Sequence, residues 1–142
     1  MLNVLIVDDS LILRRNLGKM LESLGHKVVG EAKDGREAVT CYRKLNPDLV
    51  TMDITMPEMN GIEALEAIVN EFSDARVVML TSHGQEPMVR EAVRIGAVGY
   101  LLKPILLEKL RGTLYKLFPE QGMPDEALPP VDQEEMIPLD EH

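Results

Sequence analysis

The chain reads as an α/β protein in which five parallel strands alternate with five helices, (βα)5, the helices covering both faces of one sheet. Two patterns predict this. Short runs rich in β-branched residues are apolar at successive positions instead of alternating, as strands buried on both faces are. The segments between them carry apolar residues at helical spacing, and regular alternation of the two periods implies right-handed βαβ crossovers. Size agrees: 142 residues, 45% apolar and 27% charged, suit one soluble domain with a self-sufficient core.

The first strand runs from Val4 to Val7 and stops at two acids. Leu13, Leu17, Met20, Leu21 and Leu24 follow at helical spacing, with Arg14, Arg15, Lys19 and Glu22 between them, so the first helix has one apolar stripe. Gly25 stands where a helix ends in the left-handed conformation. Val28 to Glu31 is the second strand. Asp34-x-x-Glu37 is a capping-box pattern opening a second helix with Ala38, Tyr42 and Leu45 on its stripe. Leu49 to Met52 is the third strand, and Asn60-x-x-Glu63 opens a third helix bearing Leu65, Ile68, Val69 and Phe72. Val77 to Leu80 is the fourth strand. Pro87 suits the first turn of a fourth helix, whose stripe is Met88 or Val89 with Ala92 and Ile95. Gly99 to Leu102 is the fifth strand, and Leu107, Leu110, Leu114 and Leu117 mark the fifth helix.

Charge divides the chain in two. The net charge is −9, from 15 Lys and Arg against 24 Asp and Glu. Eight of those acids lie in residues 119–142, which hold no Lys or Arg and five of the nine prolines. That segment reads as a disordered or linker tail, and residues 1–118 as a nearly neutral domain. Neither part offers the clustered cations of a nucleic-acid surface. The single cysteine, Cys41, cannot form an internal disulfide, which fits a reducing compartment. The amino terminus lacks the basic start of a signal peptide, and no apolar run approaches a membrane span. A cytoplasmic protein is expected.

In an open parallel sheet, ligands bind beyond the carboxyl ends of the strands. The residues found there are Asp8 and Asp9 after the first strand, Asp53 after the third, Thr81 and Ser82 after the fourth, and Lys103 and Pro104 after the fifth. Three carboxylates on one edge repel one another, and the arrangement makes sense around a divalent cation. All the ligands are hard oxygen donors, which favours Mg²⁺, with Mn²⁺ as a second choice. Such a cation uses one or two carboxylates and a substrate phosphate, leaving one acid free. Asp53, alone at the sheet centre, is then the candidate nucleophile toward phosphorus, Lys103 a point charge on phosphoryl oxygens, and Thr81 a donor to one of them.

Four stretches in this order, Val7-Asp8-Asp9-Ser10, Met52-Asp53-Ile54-Thr55-Met56-Pro57-Glu58-Met59-Asn60-Gly61, Leu80-Thr81-Ser82 and Tyr100-Leu101-Leu102-Lys103-Pro104, resemble the response-regulator receiver domain of the CheY-like family over residues 1–118. The resemblance implies a flavodoxin-like three-layer sandwich with strand order 2-1-3-4-5. It implies Asp53 as phosphoacceptor, Asp9 as direct metal ligand, Asp8 as holder of metal waters, and the Thr55 carbonyl as a further ligand. It also implies that Lys103, followed by a cis peptide bond to Pro104, and the Ser82 backbone pair with the phosphate. Thr81 and Tyr100 become a coupled switch pair.

Plainer roles stand beside these. Asp8 and Asp9 are also what a helix amino terminus attracts, and Tyr100 is also an aromatic that packs in a strand. His83 reads as an exposed loop residue or, with Thr55, as a control on water at the site. An enzyme on this architecture fits less well: Asp8-Asp9-Ser10 would repel a flavin phosphate, and aspartate-dependent phosphatases place their Asp-x-Asp after the first strand. The expected function is a stand-alone phosphoacceptor, not an enzyme in the ordinary sense, as a monomer or weak dimer. A histidine kinase would load it, and a target, such as the flagellar motor switch in chemotaxis, would bind the face of the fourth helix, fifth strand and fifth helix. The alternatives are a non-DNA-binding adaptor and the receiver part of a longer regulator.

Overall fold

The computed structural model describes residues 1–121. Its strands are β1 (Asn3–Val7), β2 (Lys27–Ala32), β3 (Leu49–Asp53), β4 (Val77–Thr81) and β5 (Gly99–Leu102). Its helices are α1 (Leu11–Ser23), α2 (Gly35–Leu45), α3 (Gly61–Glu71), α4 (Glu86–Ile95) and α5 (Leu107–Leu117), followed by a 3-10 turn over Pro119–Gln121. Residues 122–142, most of the expected tail, lie outside the described residues. The described residues divide into two compact units, Met1–Ile105 and a second that begins at Leu106.

In the first unit all strands run parallel in the flavodoxin-like order β2-β1-β3-β4-β5. Strand alternation sends Leu5, Val7, Val50, Met52, Val77 and Met79 to one face, where they form a core with Ala38, Tyr42, Leu65, Ile68, Val89 and Ala92 of α2, α3 and α4. On the other face α1 lies against β1 and β2, burying Leu17 and Leu21. These are the three layers expected.

Two local expectations change, and one open alternative, on α4, is decided. The apolar run of β2 predicts a strand buried on both faces, but it is the edge strand, and of its six residues three are half-buried and two are exposed. Edge position, which is a tertiary property, overrides the apolar run. The Asn60–Glu63 capping box closes in both directions, with bonds of 2.9 and 3.0 Å. At Asp34 only half of it forms: Asp34 accepts the Glu37 N–H at 2.8 Å, while the Glu37 carboxylate accepts the Lys33 N–H, one residue earlier than a box requires. On α4 the buried stripe uses Val89, and Met88 is exposed. Gly25 follows α1 with φ of +89°, the left-handed turn its position predicts.

In the second unit, α5 buries Leu110 and Leu114 and half-buries Leu117, whereas Leu107, at its first position, is exposed. Among the described residues no helix is long and apolar enough to cross a membrane.

Candidate functional site

The strand register brings the acids together. Val7 pairs with Met52 across β1 and β3, and Asp53 pairs with Leu80 across β3 and β4, so Asp8 and Asp53 leave the sheet at the same level. Asp8 and Asp53 are buried, 1% and 6% exposed, and Asp9 is open to solvent. One carboxylate oxygen from each of the three lies within 4.8 Å of the others.

Lys103, just past β5, is held at this level by its N–H, which donates to the Thr81 carbonyl at 2.7 Å. Its peptide bond to Pro104 is cis. Its Nζ is 3.1 Å from Asp8 Oδ2 and 3.1 Å from Asp53 Oδ1. Asp8 is further held by the Ser10 N–H, which donates to Oδ1 at 2.9 Å, while Arg14 donates to the Asp8 carbonyl at 2.6 Å and pairs with Glu31. Asp8 Oδ2 is different. It is buried, and its one neighbour among the described residues is the Lys103 ammonium, which it shares with Asp53.

The electrostatics follow. Burial first, then the neighbouring Asp8 charge and more weakly Asp9, raises the Asp53 carboxyl above the ordinary range despite the opposing Lys103. Burial alone would lower Lys103, but Asp53 and Asp8 outweigh it and hold the amine as a firm cation. Three acids facing one ammonium leave two formal negative charges unbalanced. A buried carboxylate oxygen whose one cationic neighbour is shared with a second acid, in a cluster of oxygen ligands only, fits a hard divalent cation and not a thiophilic metal.

Asp53 is also positioned from behind. Gly61 N–H donates to the Ile54 carbonyl at 2.8 Å, and a Cβ on Gly61 would lie 2.0 Å from the Asp53 carbonyl oxygen. Only glycine lets the start of α3 approach the end of β3 so closely.

Thr81 is buried at the end of β4. Register places it on the sheet face of Met79, which pairs with Tyr100, so Thr81 and Tyr100 share a face. Tyr100 is half-buried and packs against the main core. The Thr81 hydroxyl donates to Gln85 Oε1 at 3.0 Å, and the Ser82 N–H donates to the same oxygen at 2.7 Å. Gln85 Nε2 in turn donates to Thr55 Oγ1 at 2.8 Å. Thr55, expected to act through its carbonyl, is thus engaged through its hydroxyl. His83 is exposed.

The structure therefore gathers Asp8, Asp9, Asp53 and Lys103 into one cluster and links Thr81, Ser82 and Thr55 through Gln85. Sequence reading missed Gln85 and Arg14. Arg14 reads as a polar position between apolar ones, and Gln85 matches no spacing rule.

Comparison with known proteins identifies the family and the fold. A model of the response regulator receiver domain matches residues 4–115. The chain is 44% identical over 114 residues to chemotaxis protein CheY of Thermotoga maritima, covering 80% of this chain and 95% of that protein. The structure is similar to the Borrelia burgdorferi CheX–CheY–BeF3–Mg complex, with a TM-score of 0.78 and 38% identity, over 82% of this chain and 88% of that one. It is also similar to the response regulator domain of Thermotoga maritima CheB, with a TM-score of 0.73 and 39% identity, over 92% and 99% of the two chains.

Proposed function

The chain belongs to the response regulator receiver family, and from that premise we propose that it is a phosphoacceptor switch, loaded on Asp53 by a histidine kinase. The observation that carries this reading is the ion pair at 3.1 Å between the buried Asp53 and Lys103, inside a cluster of three carboxylates.

An Asp53 carboxylate oxygen attacks phosphorus, forming an O–P bond as the P–N bond to the kinase histidine breaks. The departing imidazole keeps the bonding pair and takes up a proton. The product is an acyl phosphate, and water later returns it to carboxylate and inorganic phosphate. A divalent cation held by Asp8, Asp9, Asp53 and the Thr55 carbonyl would offset the charge of the incoming phosphoryl group. Lys103 pairs with one phosphoryl oxygen, and the Thr81 hydroxyl and Ser82 N–H donate to another.

Movement of Thr81 toward the phosphoryl group vacates space on the face it shares with Tyr100, and Tyr100 turns inward. Shifting two states from 1:99 to 99:1 takes about 5.5 kcal/mol. The Thr81 and Lys103 contacts supply on the order of 3–6 kcal/mol, so target binding completes the shift. The target surface includes the exposed apolar Met88, Val93 and Val98 on and after α4. Relatives named as chemotaxis proteins, and a similar CheY solved with CheX, support a chemotaxis-type partner in the cytoplasm, the flagellar motor switch among them.

Full-length protein incubated with Mg²⁺ and acetyl phosphate is expected to gain the mass of one phosphoryl group, and Asp53→Ala to abolish the gain. A signal that survives Asp53→Ala, or no gain with any donor, overturns the reading. The sequence contains no Trp, so mass spectrometry or NMR serves in place of fluorescence.

A further inference from the structure

Gln85 is the residue at the cap of α4, yet its side chain makes no capping hydrogen bond to that helix. Its amide turns back toward the end of β4. There Oε1 accepts from the Thr81 hydroxyl at 3.0 Å and from the Ser82 N–H at 2.7 Å, while Nε2 donates to Thr55 Oγ1 at 2.8 Å. The third bond fixes which end of the amide faces which loop, because Oε1 is then the only atom of the amide left to accept.

Resting on the phosphoacceptor reading above, we propose that Gln85 is a positioning residue whose amide oxygen competes with the phosphoryl group for Thr81 and Ser82 in the resting state. The two donors are those the phosphoryl oxygen requires, and one neutral oxygen already holds both. Phosphorylation must displace it. Displacement frees Thr55, on the loop after β3, and Gln85 itself, the residue that caps α4. Release of one side chain therefore couples the phosphorylated strand end to the helix that carries the exposed Met88 and Val93. A charged competitor would hold the donors more firmly and repel the anion, and an apolar one would not hold them at all.

The test measures equilibrium affinity of the full chain for beryllofluoride in saturating Mg²⁺, read by 19F NMR, with the Ser82 amide resonance followed in parallel. Gln85→Met keeps the bulk and removes both polar atoms. It should bind beryllofluoride on the order of tenfold more tightly, the equivalent of one net hydrogen bond released from competition. Its Ser82 amide should lose the downfield shift and exchange protection of the wild-type protein before any ligand is added. Gln85→Glu, equal in size, should bind more weakly than wild type. Opposite directions for the two variants separate competition from a steric or merely structural role, which would move both the same way or spare Glu. Gln85→Ala repeats the Met result should that variant fold poorly.

Unchanged or weaker binding by both apolar variants, wild-type affinity for Gln85→Glu, or an unmoved Ser82 amide overturns the proposal while wild-type phosphorylation stands. Wild-type protein that takes neither beryllofluoride nor phosphoryl defeats the functional reading first, and the competition with it.

Discussion

At the amino-terminal edge of the sheet, Asp48 accepts the Asn3 N–H at 2.7 Å and His26 Nδ1 accepts the Leu2 N–H at 3.1 Å. At the carboxyl-terminal edge, Asp8, Asp9 and Asp53 crowd within 4.8 Å, and Asp8 and Asp53 share the one Lys103 ammonium. The same kinds of side chain finish the same strands, but one edge is internally satisfied and the other is left short of positive charge. The difference teaches how to tell a structural carboxylate from a functional one: the structural one stands apart with its donor supplied by the fold, and the functional ones are crowded together around a single shared cation.

The largest test attacks the backbone support of the charged edge. Gly61→Ala forces a Cβ to within 2.0 Å of the Asp53 carbonyl oxygen, so the loop must shift. A loss of about 3 kcal/mol in denaturant unfolding is expected, since neither atom belongs to a flexible side chain. Wild-type stability in Gly61→Ala would mean that the close approach is not a constraint.

Next comes Mg²⁺. At a hundred times its Kd it should stabilise the wild-type protein by about 2.7 kcal/mol, seen as a rise in the thermal midpoint that EDTA reverses. Asp48→Ala should keep this response and Asp8→Asn should lose most of it. An equal response in the two variants would erase the contrast between the edges.

Smaller effects should appear in EDTA. Asp8→Asn keeps an acceptor for the Ser10 N–H and relieves repulsion at Asp53, so the fold gains about 1 kcal/mol. Asp48→Ala removes the acceptor of the Asn3 N–H and costs about 1 kcal/mol. Opposite signs at the two ends sharpen the comparison, and equal signs would break it.

The smallest effect belongs to His26. Burial first, then the nearby amino terminus, lowers its pKa from 6.5, and its neutral ring accepts the Leu2 N–H. The unfolded chain therefore binds this proton more readily than the folded one. The stabilisation is complete above pH 6.5 and is lost as pH falls through the lower folded value. His26→Gln should flatten that part of the stability profile by a few tenths of a kcal/mol, measured by thermal unfolding between pH 7 and 5.

Much of this was legible before folding. Every strand and helix lies within two or three residues of where the apolar periods put it, and the acids, Thr81 and Lys103 stand at the strand ends predicted. Less legible were the edge character of β2, the half-formed box at Asp34 and the exposure of Leu107. Each depends on what lies alongside, which a local period does not encode. Gln85 was missed for the same reason, since its partner Thr55 comes from another loop 30 residues away.

By itself, then, the sequence determined the element order, the strand ends and the set of charged groups on them, because side-chain type and spacing are local properties of the chain. The tertiary structure alone decided which groups are satisfied. Lys103 meets Asp8 and Asp53 at equal distance, buried Asp8 Oδ2 has no partner but that shared ammonium among the described residues, and one amide oxygen holds both Thr81 and Ser82. Burial and hydrogen-bond partnership are set by segments brought together from afar, and they decide which of several similar carboxylates has chemistry left to do.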